Sequence, residues 1–230
     1  MSDAIPPQPP TAGEVAADTP ALTALCEAAR AENRAAFRKV DTAGVFYTRW
    51  MGRRDCVTER HVNTWAHSGL VEITTRLACS TTTAEHYAEL GTALREHLPK
   101  TRAAFAAGEI DYPKAWRIAT ATTGFSDAVV AAVEAKAVTI AGRYAPARFA
   151  TELDALLIRT APDEHAELRK DAEKWQRRIR RRSLGPLHRV EADLSPEEAA
   201  AVWQRVGEVA ATVCEHDPRA KQHRLVDAYL

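Results

Sequence analysis

The 230-residue sequence lacks an excess of charge of either sign: 31 lysines and arginines face 31 aspartates and glutamates. A chain that is not a polycation overall can hold nucleic acid only through a local patch, because counterion release needs positive charge concentrated beside phosphates. Cysteine is scarce and scattered. Cys26, Cys56, Cys79 and Cys214 contain no C-x-x-C pair, which argues against a zinc ribbon or a disulfide framework and for reduced thiols. Long apolar runs are missing too. The most apolar stretch beyond the N-terminal third, Ala128 to Gly142, contains Glu134 and Lys136 and is too short and too charged to span a bilayer. The opening MSDAIPPQPPTAGEVAADTP has neither a basic n-region nor an apolar h-region. No secretion signal is expected, and the expected location is cytoplasmic.

The usual signatures of catalysis are also lacking. There is no Gly-rich phosphate loop and no G-x-S-x-G,. Eight histidines are spread along the chain, and no H-x-x-x-H pair shares a helix face with a carboxylate, so neither a metal nor a cofactor is expected. Cys214, Glu215 and His216 are adjacent, and adjacent helical positions diverge by about 100°. His216 is read there as favouring the negative end of a helix dipole. Glu109 and Asp111 read as capping groups, not as an acid/base dyad. The expectation is a protein that is not an enzyme.

What is present is helical periodicity with clear punctuation. Residues 1–18 are Pro- and Ala-rich without period and are expected to be a disordered tail,. Thr19-Pro20 is a helix start, and apolar residues then recur at three and four through Leu22, Leu25, Ala29, Ala36, Val40, Tyr47 and Met51,. One long helix of about 50 Å is predicted, tolerating Gly44 at some cost. Helices follow over 58–78, with a possible break at Ser68-Gly69, and on either side of Cys79-Ser80. Others are predicted from Pro99, Tyr112, Ser126, Ala145-Pro146 and Pro162. The five tryptophans fall on different helices and are expected to pack cores or cover seams. Near 179–194 the rhythm changes to alternation around Gly185-Pro186, which predicts a β-hairpin. Ser195-Pro196-Glu197-Glu198 opens another helix, and a last one is predicted from Asp217-Pro218, still running at Leu230. That ending suggests an interrupted reading frame. The expected fold is mainly α: a multi-helix bundle with a long N-terminal helix and one short β-hairpin near the C-terminus, forming a single helical domain over 19–230.

Several segments together carry a resemblance. They are E-I-x-x-x-L with S-x-x-T-A-x-x-x-A at Glu72 to Ala88, H-L-P-K-x-x-x-x-F-x-A-G-x-I-D at His97 to Asp111, and L-S-P-E-E-A at Leu194 to Ala199. With them go the Arg-rich stretch before the hairpin, A-T-V-C-E-H-D-P-R at Ala211 to Arg219, and R-x-x-D-A at Arg224 to Ala228. From about Leu22 onward the chain resembles the actinobacterial domain-of-unknown-function 222 family, the 13E12 repeat proteins. Longer members of that family look like this helical region followed by an HNH nuclease module. The resemblance therefore implies the accessory region of a DNA-acting protein, with the HNH module absent and no catalytic residue to carry over.

The strongest candidate surface is Arg169 to Arg189, with nine basic residues against Asp171 and Glu173. Within it Lys174, Arg177, Arg178, Arg180, Arg181, Arg182 and Arg189 are the candidate nucleic-acid-binding residues, since guanidinium groups pair with phosphate in a planar fork. The competing reading is a solvated helix end whose cations pair with Glu164, Glu167, Asp171 and Glu173. A helix-turn-helix spans Glu72 to Ala88 in outline. Its second helix offers Thr81, Thr82, Glu85, His86 and Glu89 and no Arg, Lys, Asn or Gln, so a packing hairpin is favoured over base readout. The leading functional expectation is thus a non-catalytic, DNA-associated module. The alternatives are a protein–protein or oligomerisation module, pairing through the long helix with a second copy or a separate HNH-bearing chain, or an inactive remnant. No membrane partner is expected.

Overall fold

In the computed structural model the residues described are 12–53, 61–175, 178–212 and 217–230, without the side chains of 12–17, 173, 175, 182 and 184. Residues 1–11, Cys56, Arg177 and the Cys214-Glu215-His216 segment lie outside the described residues. The chain divides into two compact units, Met1–Pro162 and Asp163–Leu230.

The first unit holds α1 (Ala12–Met51), α2 (Val62–Leu77), α3 (Thr81–Glu96), α4 (Pro99–Ala107), α5 (Tyr112–Thr122), α6 (Asp127–Arg143) and α7 (Pro146–Thr160). Its boundaries follow local chemistry. Ser80 accepts from the Thr83 N–H and Asp111 from the Lys114 N–H, each satisfying a donor that the helix leaves free,. Gly108 ends α4 at φ 80°, a left-handed conformation that favours glycine,. The start of α1 differs from expectation. The helix runs back to Ala12 and passes through Pro20, so residues just ahead of Thr19 are helical instead of belonging to the tail. Proline removes one N–H donor there without ending the helix.

Two glycines decide how the bundle closes. A Cβ at Gly44 of α1 would lie 2.4 Å from the Gly91 carbonyl carbon of α3, and one at Gly91 would lie 2.3 Å from the Val40 oxygen. The backbones of α1 and α3 therefore touch, and the cost of Gly44 to helix propensity is offset by that close approach. Likewise α2 runs unbroken through Ser68-Gly69, because Gly69 makes room for the Trp50 ring, 2.7 Å from where its Cβ would be. Trp50 stacks on Trp65 with ring centroids 4.7 Å apart, and each indole N–H donates to the other residue's carbonyl. The main core gathers Leu90, Leu94, Leu98, Phe105, Ile118, Val133, Phe149, Leu153 and Leu157. A smaller cluster joins Ala43, Leu70, Ile73, Ala84 and Ala88.

Polar groups then pin the bundle. Asp41 of α1 accepts from Arg95 of α3 at 2.6 Å and from Arg102 of α4 at 3.1 Å. Glu134 of α6 is 1% exposed, and its carboxylate accepts from the Thr101 N–H at 2.7 Å. It thereby supplies the acceptor that Leu98, at the N-cap of α4, cannot,.

The second unit contains α8 (Pro162–Trp175, its first residue at the boundary), β1 (Arg178–Leu184), β2 (Leu187–Asp193), α9 (Pro196–Ala211) and α10 (Lys221–Tyr229). The strands form the predicted antiparallel hairpin, with Gly185 at φ 62° in the turn,. Ser195 and Glu198 complete a capping box ahead of α9,. The last helix starts at Lys221, later than Asp217-Pro218 predicts. Asp217 instead accepts from the backbone and guanidinium of Arg219, so a local Asx-type turn replaces the cap,. None of the helices described is long and apolar enough to cross a membrane.

Candidate nucleic-acid interface

The hairpin register decides which arginines can act together. Residues directly opposite in an antiparallel pair share a face, and the pairs are Arg178↔Asp193, Arg180↔Glu191 and Arg182↔Arg189. Positions 178, 180 and 182 of β1 thus lie on one face with 189, 191 and 193 of β2. Arg181 lies on the other face, with Ile179, Val190 and Ala192. One alternation therefore divides the basic run in two.

Asp193 organises the first face. Its carboxylate accepts from Arg178 Nε at 3.0 Å and from Arg180 Nη2 at 2.9 Å, so a single negative charge is shared by two guanidiniums. Arg189 reaches Glu191 at 3.6 Å. Arg178, Arg181 and Arg189 are exposed and Arg180 is half-buried. Arg180 Nε is shut off from solvent and has no hydrogen-bond partner among the described atoms. The hairpin as a whole places five arginines against two carboxylates. The formal charge of the segment is thus an excess of three positive charges.

Lys174, in the last turn of α8, is exposed but already engaged by another group. Arg169 meets Glu197 at 3.3 Å. The Glu197 carboxyl is held below the usual carboxylate range, first by its backbone hydrogen bond and then by Arg169. Of the seven candidates, Arg178, Arg180, Arg181, Arg182 and Arg189 come together on the hairpin, and Lys174 belongs to the preceding helix. Arg177 lies outside the described residues, and for Arg182 only the backbone position is described. Sequence reasoning missed Asp193 as the residue that joins Arg178 to Arg180. Its signal was parity: once strands and turn are placed, Asp193 falls opposite Arg178.

The other candidate surface, on α3, does face solvent, with Thr81, Thr82, Glu85 and Glu89 exposed, but it is acidic. α3 buries Ala84, Ala88, Leu90, Gly91 and Leu94 and is packed by α1, α2, α4 and α5. Its exposed side carries Glu85 and Glu89. The Glu89 carboxyl is pushed up, mainly by burial and then by the charge of Glu85. Among the described residues no group of His, Cys, Asp and Glu is arranged to hold a metal ion.

A helical bundle followed by a basic hairpin and further helices is the class of protein these observations define. Residues 27–230 match the model of the family described as "Domain of unknown function (DUF222)", and the chain belongs to that family. No curated protein and no solved structure matches it.

Proposed function

We propose that the protein is a non-catalytic module that associates with DNA through its hairpin, gripping backbone phosphates rather than reading bases. What supports this is the shared carboxylate: Arg178 and Arg180 are held side by side by Asp193 with one positive charge left over. Two guanidiniums pre-oriented in this way suit a phosphate diester, and the ordering entropy is met before the ligand arrives. The resemblance to proteins that carry an HNH module points to the same partner, and the finer picture of an actinobacterial 13E12-type protein working with a separate HNH-bearing chain belongs to this proposal.

The test is a titration of fluorescent duplex DNA at two salt concentrations. With three positive charges engaged, the formal excess of the hairpin, a fourfold rise in salt weakens binding by about 40-fold. Changing Arg178, Arg180, Arg181 and Arg182 together to Gln removes the binding. Retention of DNA that is unaffected by salt, or by these four changes, overturns the reading.

A second reading rests on α1. Residues 18–32 are all exposed, Leu22 and Leu25 at 56% and 66%. A helical stretch of this length that buries no apolar side chain gains little from packing and is marginal in water, so a second copy covering Leu22 and Leu25 would stabilise it. Analytical ultracentrifugation at micromolar concentration decides it: a strict monomer, or a dimer indifferent to Leu22→Glu with Leu25→Glu, removes this version.

A further inference from the structure

The first unit contains a cleft that the hairpin does not explain. It has a volume of about 570 Å³ and is walled by the last turns of α1, by α3 and by α5, within the size range of small-molecule sites. Its floor is apolar, with Leu90, Ala93 and Ala119, and Tyr47 and Trp116 supply aromatic walls. The two fully charged lining residues are Glu89 and Glu96, both negative. They are seven residues apart on one helix, which at about 1.5 Å per residue puts them roughly 10 Å apart along the cleft.

The surroundings reinforce that sign. Tyr47 has its phenol pushed up, first by burial and then by Glu85 and Glu89. The negative field of α3 therefore reaches across to the wall opposite. The nearby cation Arg95 is taken up by Asp41 at 2.6 Å. His97 stands at the far end, 3.3 Å from Asp127 and 3.7 Å from Glu96.

One lining hydroxyl is also unsatisfied. Helical threonines elsewhere in this unit, Thr75, Thr120 and Thr139 among them, donate to the carbonyl four residues back,. Thr92 Oγ1 makes no such bond, is shut off from solvent and has no partner among the described residues. Shut off from solvent, that hydroxyl is also out of reach of a ligand in the cleft.

We propose that this cleft binds a linear aliphatic polyamine. One ammonium sits between Glu89 and the rings of Tyr47 and Trp116, and a second sits at Glu96. The methylene chain between them lies along Leu90, Ala93 and Ala119. An ammonium over an aromatic face is attracted by the ring quadrupole, and two carboxylates on one helix face favour a ligand that neutralises both. The site lies in a different unit from the hairpin and stands or falls independently of DNA association.

The experiment is calorimetric titration of the full chain, free of nucleic acid, with octane diamine, octylamine and octane diol. The diamine binds tightest and the diol weakest, each lost ammonium costing about five- to tenfold in affinity. Glu96→Gln brings the diamine down to the affinity of octylamine and leaves octylamine unchanged. Glu89→Gln weakens both amines. Circular dichroism of each variant checks that the helices persist; both glutamates sit at the exposed rim of α3, so the fold does not depend on them. Equal binding of diamine and diol, no saturable binding of the diamine below millimolar concentration, or a diamine preference untouched by Glu96→Gln would each overturn the proposal.

Discussion

The two units treat apolar surface in opposite ways. In the first, Phe105, Phe149, Leu90, Leu94, Ile118 and Leu153 are almost wholly buried. Two helix backbones touch at Gly44 and Gly91 to achieve that packing. In the second, Val206 is buried, while Ile179 at 71% and Trp203 at 68% face water, as do Val202, Val226 and Tyr229. Stability in the first unit comes from a filled core. The second unit relies on hydrogen bonding, capping and ion pairs: the hairpin ladder, the Ser195–Glu198 box, and the arginine pairs with Asp193 and Asp217. Such contributions are individually small. A chain that leaves large side chains such as Trp203 uncovered presents a surface that gains from a partner.

Glycine substitutions test that contrast most directly. Gly91→Ala in α3 forces a Cβ to 2.3 Å from the Val40 oxygen, and backbone cannot give way as a side chain can. The expected loss is about 3 kcal/mol or more, read as a lowered urea midpoint by circular dichroism. Gly207→Ala in α9 meets nothing within 4 Å and gains helix propensity, so the second unit is stabilised by about 0.5–1 kcal/mol. Equal effects of the two substitutions would erase the distinction between a packed and an open unit.

The next effect in size concerns the buried carboxylate. Glu134→Ala leaves the Thr101 N–H at the N-terminus of α4 without its acceptor in a dry site, and a loss of about 2–3 kcal/mol is expected in the same unfolding assay. A loss below about 0.5 kcal/mol would place Glu134 with the exposed carboxylates of the second unit.

Asp193→Asn sharpens the comparison from the other side. It removes the charge shared by Arg178 and Arg180. Since exposed pairs contribute little, stability falls by less than about 1 kcal/mol. The salt dependence of duplex DNA binding steepens by about one unit of slope, while affinity falls because the two guanidiniums lose the carboxylate that orders them. Tighter binding after this change would mean that Asp193 neutralises the guanidiniums more than it orients them.

How much of this could be read in the sequence differs between the units for a physical reason. Caps and turns are local, and Ser80, Gly108, Asp111, Gly185 and Ser195 all stand where the sequence placed them. The helical class and the hairpin followed from period and punctuation. What could not be read is tertiary: that Gly44 meets Gly91, that Gly69 makes room for Trp50, and that Glu134 caps a helix 33 residues away. Asp217 shows the local method failing on its own ground, because Arg219 two residues on offers its carboxylate a better set of donors than a helix start does. The hairpin arginines were legible as a charge run. Their division between two faces, and the pairing of two of them to one aspartate, required the register.

The smallest expected effect is on acid stability, where the two units should respond with opposite sign. Asp217 has its carboxyl lowered from 3.8 to about 2, first by hydrogen bonds from the Arg219 side chain and backbone. The folded state therefore binds its proton less readily than the unfolded chain does. The stabilisation it contributes is complete above about pH 4 and is lost as pH falls toward 2. Glu89 behaves in reverse. Burial and Glu85 raise its folded-state pKa above 4.5, so the folded state takes up the proton first, and its ionisation weakens the fold as pH rises through that value. In unfolding series run from pH 6 to pH 2, Asp217→Asn should flatten the loss of stability below pH 4. Glu89→Gln should remove a small gain on acidification from pH 6 toward 4.5. If both variants shift the acid limb in the same direction, the two carboxyls share one electrostatic environment, and the contrast between a partly desolvated carboxyl beside a like charge on the bundle's surface and an ion-paired one in the open unit does not hold.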